Sequence, residues 1–178
     1  MTGAVTIRRV GAAEAIGDAG LVQVLADLLI DCVEGGASVS FMLPLPRDKA
    51  RAFWRGVAGA VERGERVLLV AQDDSGQIVG TVQMITAQPD NQPHRADIAK
   101  MLVRRSARRC GIAQRLMAAI DDEARREGKT LLVLDTVTGG DAERWYERAG
   151  WQRVGQVPGY ALMPTGELCA TTIFYKTV

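Results

Sequence analysis

The densest concentration of chemistry in the chain is the run Arg104-Arg105-Ser106-Ala107-Arg108-Arg109-Cys110-Gly111-Ile112-Ala113. It falls between an apolar stretch at residues 96–103 and a helical pattern at residues 112–127. A turn in that place aims the free amides of a helix start, and the positive end of its dipole, at one spot. Gly111 lets the main chain bend sharply and come close to an anion, and Ala113 keeps the first helical turn uncluttered. Arg104, Arg105, Arg108 and Arg109 add mobile positive charge. Such a segment suits a diphosphate; taken by itself, it suits a solvated basic turn as well. The triphosphate-loop pattern GxxxxGK followed by Ser or Thr is missing, as is the dinucleotide pattern GxGxxG.

Carboxylates supply the other half of a group-transfer site. Asp135 ends the apolar run Leu131-Leu132-Val133-Leu134, and open sheets place their ligands at the carboxyl ends of such strands. A carboxylate there can hold a cationic substrate or take a proton through water; the alternative is a plain cap on the following turn. Asp97 sits on the neighbouring predicted strand, either in the same pocket or as a solvated strand-end charge. Lys100 is out of place on a strand that otherwise looks buried, and is assigned to a satisfied structural charge before a catalytic amine. Cys110 lies where a helix start lowers a thiol pKa, yet the phosphate task of the loop argues against a covalent acyl-cysteine. The single histidine, His94, stands between Pro93 and Arg95 and is placed in a loop.

Composition bounds the rest. A chain of 178 residues, 47% hydrophobic and 24% charged, fits one domain with a real core and no need of a metal. Cys32, Cys110 and Cys169 show no CxxC spacing, which argues against a disulfide framework or zinc and for a reducing compartment. With 22 basic against 21 acidic residues, the basic excess of a phosphate-tracking nucleic-acid binder is missing. No apolar run approaches the ~20 residues that span a bilayer. Residues 1–9 lack the order of a secretory leader, so a cytoplasmic protein is expected.

Periodicity then supplies the elements that must position these residues. Residues 5–10 read as a short strand, and residues 16–33 as a helix with Leu21, Val24, Leu25, Leu28 and Cys32 on one face. A second helix begins near Pro46 and ends at Gly64. Strands at 67–72 and 77–88 flank the turn Asp73-Asp74-Ser75-Gly76. A strand at 96–103, the helix at 112–127 and a strand at 131–134 form a parallel crossover. A short helix at 141–149 and strands at 152–157 and 169–176 complete the chain. That order predicts an α/β fold, a central mixed sheet of about seven strands with helices on both faces.

Two of these segments carry a family resemblance. Arg108-x-x-Gly111-x-Ala113, and further on Ala142-x-x-x-Tyr146-x-x-x-Gly150-Trp151, resemble two signatures of the GCN5-related N-acetyltransferase (GNAT) family. The resemblance implies one domain over residues 1–178 that moves the acetyl group of acetyl-CoA directly onto an amine or hydroxyl of a small molecule. In its frame, Met101, Leu102 and Val103 offer backbone groups to the pantetheine arm, and an N–H near Val103 polarises the thioester carbonyl. Arg108, Arg109, Cys110, Gly111, Ile112 and Ala113 cradle the diphosphate, and the strand at 131–135 splays away to admit the arm. Tyr146 becomes the general acid for the leaving thiolate; without the motif it reads as a packed aromatic beside Trp145 and Trp151.

Within the family, the chain is similar to the tabtoxin-resistance subgroup. The similarity rests on Gly35-Gly36-Ala37-Ser38-Val39, Phe41-Met42, Arg95-Ala96, Lys100, Leu134-Asp135-Thr136, Val154-Gly155 and Pro158-Gly159-Tyr160. It implies acidic substrate-side residues at Asp97 and Asp135, and a zwitterionic acceptor such as an antibiotic or the tabtoxin warhead. Loop residues 34–43 are then a wall of the acceptor pocket. Acetylation of peptide or protein N-termini and a non-catalytic acyl-CoA sensor are the other readings, and a monomer or a homodimer is expected. Many family members carry an asparagine three residues before Ala142; here Gly139 removes that contact with coenzyme A.

Overall fold

A change of hydrophobic period marks nearly every boundary in the computed structural model, which describes residues 5–178. Part of the segment used to argue against a leader, residues 1–4, lies outside that range. In chain order the elements are β1 (Thr6–Arg9), α1 (Ala12–Gly17), α2 (Ala19–Glu34), α3 (Arg47–Glu62), β2 (Arg66–Gln72) and β3 (Ile78–Ile85). They continue with β4 (Arg95–Val103), a 3-10 turn (Arg105–Ala107), α4 (Ile112–Arg126), β5 (Leu131–Val137), α5 (Asp141–Arg148), β6 (Gln152–Leu162) and β7 (Leu168–Thr177).

The seven strands form one mixed sheet in the order β1-β2-β3-β4-β5-β7-β6. Among the described residues, only β4 and β5 are parallel neighbours, joined through α4. Each face of the sheet has its own core. Leu68, Val70 and Leu102 pack with Leu25, Leu28, Leu29, Cys32 and Trp54 of α2 and α3. On the other face Leu69, Met84, Ala96, Leu132, Leu134 and Phe174 meet Ile112, Leu116 and Ile120 of α4 and Tyr146 of α5. The alternation of strand side chains divides the sheet in this way.

Three local expectations need correction. The single helix expected over residues 16–33 is two, because Asp18 leaves helical geometry and caps α2. Its carboxylate accepts from Gly20 N at 2.8 Å and Leu21 N at 3.1 Å, a cap worth about 1 kcal/mol. The third strand stops at Ile85 rather than reaching Gln88. The sixth runs to Leu162, past the Pro158-Gly159 pair expected to end it. As the sheet's edge, β6 tolerates a proline that donates no ladder bond.

Candidate active site

The sheet opens at one place. β4 and β5 pair only at Arg95 with Leu131, Ala96 with Leu132 and Asp97 with Val133, and beyond that register they part. A bulge bends β4 just there. Thr81 faces Leu102 while Gln83 faces Ala99, so Lys100 and Met101 together stand opposite Val82. Lys100 takes a left-handed φ of 52°, at a cost of about 1 kcal/mol for a residue with a Cβ. Beyond the bulge Arg104 N donates to Val79 O at 2.8 Å. Strand alternation therefore turns the peptide groups of Met101 and Val103 away from β3 and toward the gap. The Val103 carbonyl, so turned, accepts from Arg108 Nε at 3.3 Å and Cys32 Sγ at 3.4 Å. Leu102 points its side chain into the α2/α3 core.

The arginine-rich bend lies beside this opening. A Cβ on Gly80 of β3 would stand 3.1 Å from Ile112 Cγ2 and 3.2 Å from Leu102 O, so its absence lets α4 seat its first turn directly on the strand. Arg109 and Gly111 both adopt left-handed φ, 62° and 74°. The first bond of α4 is Arg115 N to Gly111 O at 3.1 Å. Among the described residues, the amides of Arg109, Cys110, Gly111, Ile112, Ala113 and Gln114 find no protein acceptor. Six donors converging at a helix start are an anion cradle.

The four arginines divide their labour. Arg105 is committed elsewhere: its amide and its Nε each donate to the Asp31 carboxylate at 2.8 Å, with Glu34 at 3.6 Å. Burial works to raise the Asp31 carboxyl, but these bonds from Arg105 outweigh it and hold the group below the usual carboxylate range. Arg104 keeps its Nε buried and unpartnered. Arg108 and Arg109 remain exposed at the cradle, as does Cys110.

Tyr146 approaches from the α5 side. It is 6% exposed, set edge-on against Trp145 at 5.1 Å and Trp151 at 5.8 Å, with Phe174 tilted at 6.0 Å. Burial first, and the negative charge of Asp135 second, push its phenol well above the ordinary value, so it carries its proton. Asp135 is exposed on the opposite face and accepts from Thr171 Oγ1 at 2.7 Å. Asp97 shares that face at the closed end of the gap, but both its oxygens are occupied, by Arg95 and by Gln88 Nε2 at 3.0 Å. The structure thus separates the two acids: Asp135 stands in the open part and Asp97 at the vertex. His94 lies in a turn, where its carbonyl receives Thr130 N and Leu131 N. Near Gly139, whose amide donates to Glu143, the buried Glu143 carboxylate also accepts from Thr172 Oγ1 at 2.6 Å.

The loop at residues 34–43 and Lys100 were singled out in the sequence, but Phe53, Arg66 and Gln83 at the same opening escaped it. The α2–α3 loop is tied to the β6–β7 hairpin by Ser38 Oγ to Leu162 O at 3.1 Å and Leu43 N to Pro164 O at 2.9 Å, closing a wall over the α2/α3 face. Under it lie Lys100, Ser40 and Phe53, with Arg66 and Gln83 on the adjoining strands. A polar Gln83 inside an apolar strand was the legible signal.

Comparison with known proteins agrees with this geometry. A curated relative, described as an uncharacterized N-acetyltransferase in the hisH-hisA intergenic region of Azospirillum brasilense, is 34% identical over 113 residues, 62% of this chain. The match spans 65% of that relative, just under two thirds of its length. An N-acetyltransferase from Staphylococcus aureus Mu50 superposes with a TM-score of 0.77 at 15% identity, over 98% of both chains. A putative acetyltransferase from Salmonella typhimurium, solved with its cofactor acetyl-CoA, gives 0.75 at 19% identity over 98% of this chain and 94% of that one. The model of the acetyltransferase (GNAT) domain matches residues 64–153, half of the chain, and those residues hold the bulge, the amide cradle, the parted strands and α5. By that match, the chain belongs to the acetyltransferase (GNAT) domain family.

Proposed function

We propose that this protein is an acetyl-CoA-dependent N-acetyltransferase that acts by direct transfer on the amine of a small zwitterionic molecule. One observation carries the reading: six amides without protein acceptors stand at a helix start beside the point where β4 leaves β5. Those amides, with Arg108 and Arg109, suit a diphosphate, and the gap suits an extended arm lying along the exposed edge of β4. The acetyl-CoA present in the Salmonella typhimurium structure supports the same choice of donor.

When bound, acetyl-CoA supplies a thioester-activated acetyl group. Arg109 to Gln114 hold the diphosphate end, and Met101 and Val103 hydrogen-bond the arm along the strand edge. The Val103 N–H, turned into the gap, polarises the thioester carbonyl. Asp135 draws the acceptor's ammonium to the opening and takes its proton, directly or through water. Tyr146, kept protonated by burial, delivers a proton to the departing sulfur. Asp97, bound by Arg95 and Gln88, holds the vertex of the gap and stands behind Asp135 on the acceptor face. The loop tied over that face favours a small acceptor, of which the tabtoxin warhead is one, over a polypeptide that needs an open groove.

Coenzyme A tests the donor assignment. At one hundred times its dissociation constant it stabilises the fold by about 2.7 kcal/mol through mass action. A melting temperature unmoved by millimolar coenzyme A removes the assignment.

A further inference from the structure

The acceptor face holds two cations that, among the described residues, make no ion pair. Lys100 Nζ bonds only the hydroxyl of Ser40, at 3.1 Å, and lies 5.7 Å from the centre of the Phe53 ring. Arg66 donates one bond, from Nη1 to Gln83 Oε1, and its Nε is buried without a partner. Gln83 is fully buried, and its Nε2 likewise has no acceptor. Among the described residues neither Lys100 nor Arg66 makes an ion pair. Of the carboxylates whose charge reaches them, Glu65 is paired with Arg63 at 2.7 Å, and Asp135 accepts from Thr171 and bonds neither cation.

These groups form one cluster. Arg66 lies in register with Ile85, and Ile85 with Asp97; Gln83 lies in register with Leu68 and Ala99. Leu68 belongs to the α2/α3 core, so Gln83, Arg66 and the Lys100 bulge share the face on which Asp135 stands. Each cation is disfavoured where it sits. Burial lowers the Lys100 ammonium most, the Arg66 guanidinium lowers it further, and the pull of Asp135 does not restore it. Burial likewise lowers Arg66, against a smaller lift from Glu65. Two desolvated like charges and two orphaned N–H groups are uphill unless an anion joins them.

We infer that Lys100, Arg66 and Gln83 form a carboxylate subsite, and that the acceptor is an α-amino acid or a close analogue, with its acid group held there and its amine at Asp135. The inference rests on the proposed acetyltransferase reading and specifies its substrate class. A monoanionic, planar carboxylate matches a guanidinium edge plus an ammonium. Asp97 pairs with Val133, so Lys100, three residues on along β4, and Asp135, two residues on along β5, flank the same opening and can serve the two ends of one small molecule. The bulge thereby has a task, since its left-handed Lys100 turns the ammonium toward Ser40 and Phe53 on this face.

The test compares the proteinogenic L-amino acids with their α-amides and decarboxylated amines. Thiol release from acetyl-CoA measures turnover, and calorimetry on the protein saturated with coenzyme A measures acceptor binding. The acids should exceed their amides by about a hundredfold in kcat/KM, since a site built around a group rejects analogues lacking it. Lys100→Met should erase most of that preference with coenzyme A affinity unchanged, and Lys100→Arg should keep it. Arg66→Met should act in the same direction as Lys100→Met. Amides or decarboxylated amines accepted as well as the acids would overturn the carboxylate subsite and leave the acetyltransferase standing. Coenzyme A binding with no acid bound or turned over would do the same. No binding of coenzyme A would remove the enzyme reading beneath it as well.

Discussion

Tyr146 owes its protonation state to burial among Trp145, Trp151 and Phe174 rather than to a hydrogen-bonding partner. Replacing it with phenylalanine removes no bond from the fold, so Tyr146→Phe should keep the melting temperature and coenzyme A affinity of the parent. Its kcat should fall by about a hundredfold or more, the scale of a lost general acid; parental turnover would strike Tyr146 from the mechanism. The raised phenol pKa fixes the sign of a second outcome. The acid form persists as pH rises, so kcat at saturating acceptor should show no alkaline loss below about pH 10, where an ordinary phenol ionises. A loss near pH 8 would assign the proton donor to another group. Asp135 and Tyr146 were readable as candidates because a strand end and a helix motif announced them. Lys100 was marked as out of place but assigned to a structural charge, and Arg66 and Gln83 were passed over, because their joint role depends on a bulge that brings three strands' side chains together, and no residue type signals a bulge.

At the level of elements, the placement of α4 on β3 decides whether the cradle faces the gap. Gly80→Val forces a side chain into Ile112 and Leu116, so the start of α4 should shift and coenzyme A should bind at least about tenfold more weakly. Titration calorimetry reads this, and unchanged affinity would show that the helix does not position the donor. The anchoring of α5 depends on Glu143, whose carboxyl is held low chiefly by Thr172 and then by the Gly139 amide. A depressed carboxyl stabilises the fold above its unfolded pKa, near 4.3, and that contribution is lost as pH falls through the native value. Glu143→Gln should therefore lower the neutral-pH melting temperature by about 2–4 °C and weaken its acid dependence. Parallel melting curves for the two proteins from pH 7 to about pH 3 would contradict this. The order of strands and helices was legible because each period is distinct. The break at Asp18 was not, since a capping aspartate between two helices looks like one polar residue on a continuous face. Nor was the run of β6 through Pro158, which only its place at the sheet edge permits.

For the whole molecule, the decisive arrangement is an opening that passes through a sheet with a core on either side. The cradle and Tyr146 belong to the α4/α5 side, while Asp135 and the cation cluster belong to the α2/α3 side, under the loop tied to the hairpin. On the proposed reading, donor and acceptor would therefore arrive from different directions without obstructing one another. Initial-rate plots should intersect, and no labelled acetyl should accumulate on the protein when acetyl-CoA is given alone; parallel plots would indicate a covalent carrier. Departure need not follow a fixed sequence either. An acetylated product can leave while the spent thiol remains, so coenzyme A should compete with acetyl-CoA yet never be displaced by excess acceptor.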